Sequence, residues 1–159
     1  MKRLIEIYFK SQKSTIFFEP FDNFAQIYPN TNVVLLTDER VHSLYQNKFE
    51  ECNTIVVPEG EKCKNLETVV NLINELLKYK ADRDTAIIGI GGGSVCDLTG
   101  FVASVYMRGL RHSFVPTTLL SMVDASIGGK TAINFDEIKN LVGTFKHPEF
   151  VVIDTSFLD

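Results

Sequence analysis

Short apolar runs of strand length recur along the chain and constrain its fold more than any other feature. The runs begin at Val33 (VVLL), Thr54 (TIVV), Thr85 (TAIIGI), Ser113 (SFV) and Phe150 (FVVI). Helical patterns separate several of them. Continuous apolar strands that alternate with helices are typical of a mostly parallel sheet covered on both faces. We therefore predict an α/β fold with a Rossmann-like sheet, preceded by an N-terminal β-hairpin built from residues 4–9 and 15–18.

The clearest helical pattern follows the second of these runs. Its apolar residues are spaced by three and four positions, which predicts one stripe buried against the sheet: Leu66, Val69, Val70, Ile73, Leu76 and Leu77. The chain has 159 residues, of which 45% are hydrophobic. This length and composition predict a single domain over residues 1–159 with a substantial core.

Composition and charge disfavour several classes of function. The net charge is −4 and the basic residues are scattered, so we expect no nucleic-acid partner. No apolar stretch approaches the length that spans a membrane, and no leader pattern stands at the start, so we expect no membrane association and a cytoplasmic protein. The three cysteines lack CxxC spacing and the three histidines are far apart, which predicts free thiols and no metal site within this chain.

A glycine-rich turn stands between an apolar strand and a helix, in the stretch IIGIGGGSVCDLTGF. Gly91 to Gly93 occupy the turn, and they leave backbone N–H groups at the positive end of a helix without Cβ atoms in the way. A phosphate group is the natural ligand of such a turn. The stretch is not a GxGxxG fingerprint, because Ser94 stands where a glycine is needed. The alternative is a tight turn that requires positive φ and binds nothing.

Polar residues follow other strands at the edge where a parallel sheet binds ligands. Asp38 could accept hydrogen bonds from ribose hydroxyls, or it could be a helix N-cap. Glu61 and Lys64 could bind a nucleotide, or they could be charges in the first turn of a helix. The same alternative holds for Asp97, which could simply stabilise the helix dipole.

Two further segments carry polar groups. Thr117 and Thr118 follow Pro116, which we expect to end a strand, so both hydroxyls should face the ligand edge. The last third of the chain places charged and amide groups among Ile, Val, Leu, Ala and Gly, where they need partners: Asp124, Lys130, Lys139 and Asn140. Two lysines with an asparagine suit an anionic substrate. Alternatively, Asp124 and Lys130 pair with each other, and Arg108 is a solvated residue near a helix C-terminus.

These segments together resemble the N-terminal half of 3-dehydroquinate synthase, a sugar-phosphate cyclase family. The resemblance covers the whole chain and is most specific in GEKCKNLETV, GIGGGSVCDLTGFVAS, RGLRHSFVPTTLLSMVDASIGGKTAIN and KNLVGTF. It implies that NAD is held by Asp38, Glu61, Lys64, Gly92, Gly93, Ser94, Asp97, Thr117, Thr118, Leu120, Lys139 and Phe157. It also implies that catalysis involves Asp124, Lys130, Lys139, Asn140 and, across a homodimer, Arg108.

The resemblance further implies a reaction and a missing part. The expected enzyme is a lyase of the shikimate pathway of aromatic amino acid biosynthesis, which converts 3-deoxy-D-arabino-heptulosonate 7-phosphate to 3-dehydroquinate and phosphate. Its zinc or cobalt would be bound by a helical C-terminal domain absent from this chain, so we expect the chain to be inactive alone. One segment departs from the family pattern, because NFDEIKN has Phe135 for His and Ile138 for Gly.

Three other functions stay open on the sequence. Cyclases that make inosose or valiolone rings share much of the scaffold, so the substrate is less certain than the reaction type. Metal-dependent polyol dehydrogenases have a related fold and glycine turn. A nucleotide-binding module without chemistry of its own is the non-enzyme alternative.

Overall fold

The computed structural model describes residues 4–9, 12–21, 28–29, 31–49 and 52–158. Three α-helices lie in these ranges: α1 (Glu39–Tyr45), α2 (Leu66–Lys78) and α3 (Gly93–Val105). The strands are β1 (Leu4–Tyr8), β2 (Lys13–Phe18), β3 (Val33–Asp38), β4 (Asn53–Val57), β5 (Ala86–Gly91), β6 (Arg111–Pro116), β7 (Lys130–Phe135), β8 (Ile138–Phe145) and β9 (Phe150–Ile153).

Seven of the strands form one sheet in the order β1-β2-β9-β6-β5-β3-β4. Strands β1 and β2 pair antiparallel, and every other neighbouring pair in this sheet is parallel. The predicted α/β class, the mostly parallel sheet and the N-terminal hairpin are therefore confirmed. The carboxyl ends of β3, β5 and β6 meet at one edge, where ligands bind in sheets of this kind.

The core lies on both faces of the sheet, which explains why its central strands read as continuous apolar runs. Ile87 of β5 packs with α2 and α3 on one face, whereas Ile88 packs on the opposite face with Val41 of α1. Helix α3 is buried along most of its length, from Val95 to Ala103. The sheet therefore holds α3, and with it the preceding turn, rigidly in place.

The predicted stripe of α2 was partly wrong. The buried face contains Thr68, Val69, Leu72 and Leu76. Val70 and Leu77 are instead 55% and 59% exposed, and Leu66 is 47% exposed. The helix has more apolar residues than its contact with the sheet can cover, so the spacing alone could not fix which of two adjacent stripes faces inward.

A second, two-stranded sheet was not predicted from the sequence. Strands β7 and β8 form an antiparallel hairpin that packs on α3. The approach is close, because a Cβ atom on Gly100 of α3 would lie 2.4 Å from Thr131 Cγ2. A hydrogen bond of 2.8 Å from Thr144 Oγ1 to Ser104 Oγ ties β8 to the same helix. The hairpin therefore carries Lys130, Lys139 and Asn140 alongside α3.

Candidate functional site

The glycine turn joins β5 to α3 as predicted. β5 ends at Gly91, Gly92 is the N-cap and α3 begins at Gly93. No side chain caps this helix, so its first N–H groups have no acceptor within the helix or from an N-cap side chain. The positive-φ alternative is wrong: Gly92 has φ −73°, and the positive-φ glycines in the described part of the chain lie elsewhere.

Two of the glycines serve helix packing. A Cβ atom on Gly89 would lie 2.4 Å from Thr99 Oγ1, and one on Gly91 would lie 2.6 Å from Val95 Cγ2. Both distances are too short for real contacts. Gly89 and Gly91 therefore allow α3 to lie against β5.

The other two glycines face open space. A Cβ atom on Gly92 would meet nothing closer than Thr118 Cγ2 at 3.5 Å, and one on Gly93 nothing closer than Ala125 Cβ at 3.4 Å. Both residues line a cavity of about 570 Å³ at the carboxyl edge of the sheet. Neither backbone conformation nor packing requires glycine at position 92. Its bare backbone is thus available to a ligand in the cavity.

Asp38 lines the same cavity and also caps a helix. Its Oδ1 accepts a 2.8 Å hydrogen bond from the backbone N–H of Val41, so the N-cap alternative is correct. Its Oδ2 accepts no hydrogen bond from the described residues. The carboxylate is therefore held in a fixed orientation with one oxygen left for a ligand.

The walls of the cavity include more of the predicted residues. Ser94, Thr117, Thr118 and Phe157 line it, together with Tyr45, whose ring contacts Phe157 edge to face at 4.7 Å. The backbone N–H of Thr117 donates to Gly91 O at 2.9 Å, which fixes the end of β6, at Pro116 as predicted, beside the glycine turn. Leu120 lies outside this cavity and is 71% exposed.

Lys64 is a buried residue at the centre of a polar network. It is only 2% exposed, and its Nζ donates to Asp97 Oδ2 at 2.7 Å and to Asn140 Oδ1 at 2.5 Å. Neither Lys64 nor Glu61 is in the first turn of α2, because the N-cap of that helix is Asn65. Glu61 does lie in the first turn of a short 3₁₀ helix, Gly60–Cys63, so the helix-charge alternative holds there for Glu61 but not for Lys64, which follows that helix.

Asp97 also has a different role from the dipole alternative. It is the fifth residue of α3, beyond the first turn, and it pairs with Lys64 instead. Burial raises the pKa of Asp97, and the hydrogen bond from Lys64 opposes that rise. The ammonium group of Lys64 therefore stabilises the negative charge of Asp97, a carboxylate that is largely removed from water.

Glu61 connects the network to the glycine turn. Its Oε1 accepts from Ser94 Oγ at 2.9 Å, and its Oε2 accepts from Asn134 Nδ2 at 3.1 Å. Partial burial would raise the pKa of Glu61, but these hydrogen bonds, with Lys64 and Lys139 nearby, lower it below its ordinary value. The Glu61 carboxylate is therefore kept ionised between the glycine turn and the network around Lys64.

Asn134 is a positioning residue that the sequence reasoning missed. Its Oδ1 accepts from the backbone N–H of Asn140 at 2.9 Å. The backbone N–H of Asn134 donates to Lys64 O at 2.8 Å. Asn140 has a left-handed backbone with φ 56°, which asparagine tolerates better than most residues. A polar residue near the end of an otherwise apolar strand was the only available signal.

A second cavity of about 470 Å³ adjoins this network. Its walls include Asp97, Asp124, Lys130 and Asn140. The described residues show no ion pair between Asp124 and Lys130, so the bridge alternative is not supported. The structure therefore brings the Lys130 ammonium group and the Asn140 amide, which suit an anion, together with the carboxylates of Asp97 and Asp124.

Arg108 and Lys139 lie outside both cavities. Lys139 is exposed on β8, close enough to Glu61 to affect its charge. Arg108 is exposed in the turn Tyr106–Arg108 that follows α3, in agreement with its predicted place near a helix C-terminus.

In the ranges that the structure describes, no cluster of three or more His, Cys, Asp or Glu side chains could hold a metal ion. The helices of the described chain are too short or too polar to cross a membrane. Cys52, Cys63 and Cys96 all lie in the described ranges and form no disulfide there, and burial raises the pKa of Cys63 to about 12.

The parallel sheet and the uncapped, glycine-lined helix N-terminus place the chain in the Rossmann-like α/β class. Residues 54–159 match the family described as 3-dehydroquinate synthase N-terminal. The chain belongs to this family. It is 51% identical over 127 residues to 3-dehydroquinate synthase from Dictyoglomus turgidum, a match that covers 79% of this chain and 36% of that protein. The chain thus spans little more than a third of that relative.

Two solved structures of other synthases are also similar to this chain. A 2-deoxy-scyllo-inosose synthase complexed with carbaglucose-6-phosphate, NAD⁺ and Co²⁺ superposes with a TM-score of 0.86 at 27% identity, over 98% of this chain and 46% of that one. A 2-epi-5-epi-valiolone synthase from Streptomyces hygroscopicus with NAD⁺ and Zn²⁺ bound has a TM-score of 0.84 at 27% identity, over 96% of this chain and 46% of that one. Both are similar to the present chain across nearly its whole length.

Proposed function

We propose that residues 1–159 are the NAD-binding half of a 3-dehydroquinate synthase. The proposed reaction converts 3-deoxy-D-arabino-heptulosonate 7-phosphate to 3-dehydroquinate and phosphate, which makes the complete protein a phosphorus-oxygen lyase. The observation that carries the proposal is Gly92, a glycine whose backbone conformation and packing would accept a side chain, at an uncapped helix N-terminus that lines a cavity. The family to which the chain belongs supports the choice of reaction.

The first cavity would hold the dinucleotide. The free N–H groups at the start of α3 and the bare backbone of Gly92 and Gly93 suit its pyrophosphate. Asp38 Oδ2 is free to accept a ribose hydroxyl. When bound, NAD supplies a hydride acceptor that the side chains of this chain do not provide.

The second cavity would hold the sugar phosphate. Lys130 neutralises negative charge on the substrate, and Asn140, fixed by Lys64 and Asn134, donates its amide N–H groups. Asp124 faces the same space and can accept a substrate hydroxyl. Lys139 would approach from β8, between cofactor and substrate.

Arg108 would act in another subunit. It is exposed on a turn outside both cavities, so contact with a substrate requires a second copy of the protein. We therefore propose that the complete protein is a homodimer. We also propose that it is cytoplasmic.

The metal does not fit this chain. The neighbouring cyclases are bound to Co²⁺ or Zn²⁺, but the described residues form no cluster of metal-ligating side chains. We propose that its ligands lie in a further helical domain outside residues 1–159.

Phosphate release tests this division. The 159-residue chain should release no phosphate from the heptulosonate phosphate, even with added Zn²⁺ or Co²⁺, whereas the chain joined to the C-terminal region of a relative should do so.

The Lys130→Met variant of the joined protein should bind the substrate more weakly and bind NAD with unchanged affinity, because methionine keeps the aliphatic stem and removes the charge. Lys78→Met, on the exposed end of α2, is the control. Turnover by the isolated chain would refute this division of the activity between two parts of the protein.

A different cyclase substrate is the second candidate. The inosose and valiolone synthases superpose over almost the whole chain, although their identity of 27% is well below the 51% of the dehydroquinate synthase relative. A parallel assay with glucose 6-phosphate, whose carba analogue is bound in the inosose synthase, distinguishes that reaction from the first candidate. Faster turnover of glucose 6-phosphate than of the heptulosonate phosphate would favour the second candidate.

A further inference from the structure

The turn that carries Arg108 has an unusual backbone. Met107 and Arg108 have φ values of 48° and 70°, and Gly109 has φ 132°. Consecutive non-glycine residues in the left-handed region are uncommon, and they persist only where surrounding contacts hold them. The turn therefore needs an identifiable restraint.

Lys146 supplies contacts on both sides of this turn. Its Nζ donates to Ala103 O at 2.9 Å and to Leu110 O at 2.5 Å. Ala103 carries one of the last four carbonyl groups of α3, where a cation is favoured, and hydrogen bonds from an ammonium group are stronger than neutral ones. A single charge thus connects the residues before and after the turn.

The same lysine contacts the turn and the hairpin. A Cβ atom on Gly109 would lie 3.4 Å from Lys146 Nζ, so the ammonium group lies directly against the turn. The backbone N–H of Lys146 donates to Gly129 O at 2.8 Å, next to Lys130 at the start of β7. Lys146 therefore joins the Arg108 turn to the strand that begins with Lys130.

The end of α3 has a separate anchor. Tyr106 is buried, and its hydroxyl donates to Ala81 O at 3.0 Å. The helix end is therefore held without Lys146. Within the turn, Tyr106 O accepts from the Gly109 N–H at 2.9 Å, and Ala103 O accepts from the Leu110 N–H at 2.7 Å. What Lys146 adds is a charged donor to the carbonyl groups of Ala103 and Leu110, on either side of residues 107–109.

We propose that Lys146 is a positioning residue for Arg108, holding the left-handed turn so that the guanidinium group is presented outward to the substrate of a partner subunit. The assignment rests on the proposed function for the role of Arg108. The restraint on the turn itself is independent of that role.

Hydrogen–deuterium exchange of the 159-residue chain tests the restraint. The backbone N–H of Leu110 donates to Ala103 O at 2.7 Å. In the Lys146→Met variant this N–H should exchange about tenfold faster, because the carbonyl groups of Ala103 and Leu110 lose their charged donor. Lys146→Arg should keep most of the protection, and the exposed Lys78→Met should change nothing. Unchanged exchange in Lys146→Met would overturn the assignment whatever the activity of the protein.

Kinetics of the chain joined to the C-terminal region of a relative test the link to Arg108. Lys146→Met should raise the KM for the heptulosonate phosphate about tenfold and leave the KM for NAD within about twofold, with rescue by Lys146→Arg. In an Arg108→Ala background, Lys146→Met should raise the KM for the heptulosonate phosphate by less than a further factor of about two. Independent, multiplying effects would overturn the link. If exchange is as expected but the parent protein turns over no heptulosonate phosphate, the restraint stands and the proposed reaction fails.

Discussion

Replacement of Gly92 by alanine separates a binding role of the glycine turn from a structural one. The added Cβ atom meets Thr118 Cγ2 at 3.5 Å, an ordinary contact, and the backbone at φ −73° accepts any residue. An alanine N-cap costs roughly 0.5–1 kcal/mol relative to glycine. Loss of the glycine's freedom in the unfolded chain returns about 0.4–1 kcal/mol. The free energy of unfolding should therefore change by less than about 1 kcal/mol.

The effect on NAD should be much larger. A methyl group on Gly92 projects into the cavity and keeps a phosphate from the N–H groups at the start of α3. Loss of one hydrogen bond to a charged group costs about 1.5–3 kcal/mol. This corresponds to a dissociation constant about 10- to 150-fold higher.

Isothermal titration calorimetry with NAD and urea unfolding measure the two quantities. Gly91→Ala is the matched control, because its Cβ atom would lie 2.6 Å from Val95 Cγ2 and such overpacking costs about 1–3 kcal/mol. We expect Gly91→Ala to lose stability and Gly92→Ala to lose affinity. Unchanged NAD affinity in a folded Gly92→Ala protein would refute the argument that a ligand requires this glycine.

Two further outcomes are expected from the buried charges. Lys64→Met should lower the free energy of unfolding in urea by about 3 kcal/mol, because it leaves Asp97 without its cation, and an unchanged midpoint would contradict this. At Asp154, burial favours the neutral acid, but hydrogen bonds from the backbone N–H of Phe21 and from Ser156, with Lys48 nearby, outweigh it and lower the pKa below its ordinary value. The stability that Asp154 contributes is therefore present above the unfolded pKa and lost as pH falls through the folded one. Asp154→Asn should be less stable than the parent at pH 6, by a margin that shrinks towards pH 2; a constant margin would contradict the linkage.

The sequence predicted the main sheet because its central strands are buried on both faces. Burial on both faces leaves a continuous apolar run, such as TAIIGI, that few other structures produce. The hairpin of β7 and β8 has no such run. Its outer strand is exposed along most of its length, and Asn140 interrupts its regular backbone, so neither alternation nor continuity marked it.

The candidate site was predictable in its residue types but not in its contacts. Lys64 meets partners 33 and 76 residues away, and no local pattern encodes the burial that follows. The glycines show the same limit. Gly89 and Gly91 look no different from Gly92 in sequence, yet only the position of α3 decides which of them packs and which lines a cavity.

The position of β9 has a consequence for folding during synthesis on the ribosome. Among the described strands, β9 fills the gap between β2 and β6, so the N-terminal hairpin joins the rest of the sheet through Phe150–Ile153. Ser14, for example, donates to Pro148 O, 134 residues later. Contacts this distant in sequence form slowly, because the intervening loop must close first. At about 5–20 residues per second of synthesis, the edge of β2 that pairs with β9 waits about 7 to 26 seconds without its partner strand. A chaperone is therefore most useful just before Phe150–Ile153 emerges from the ribosome.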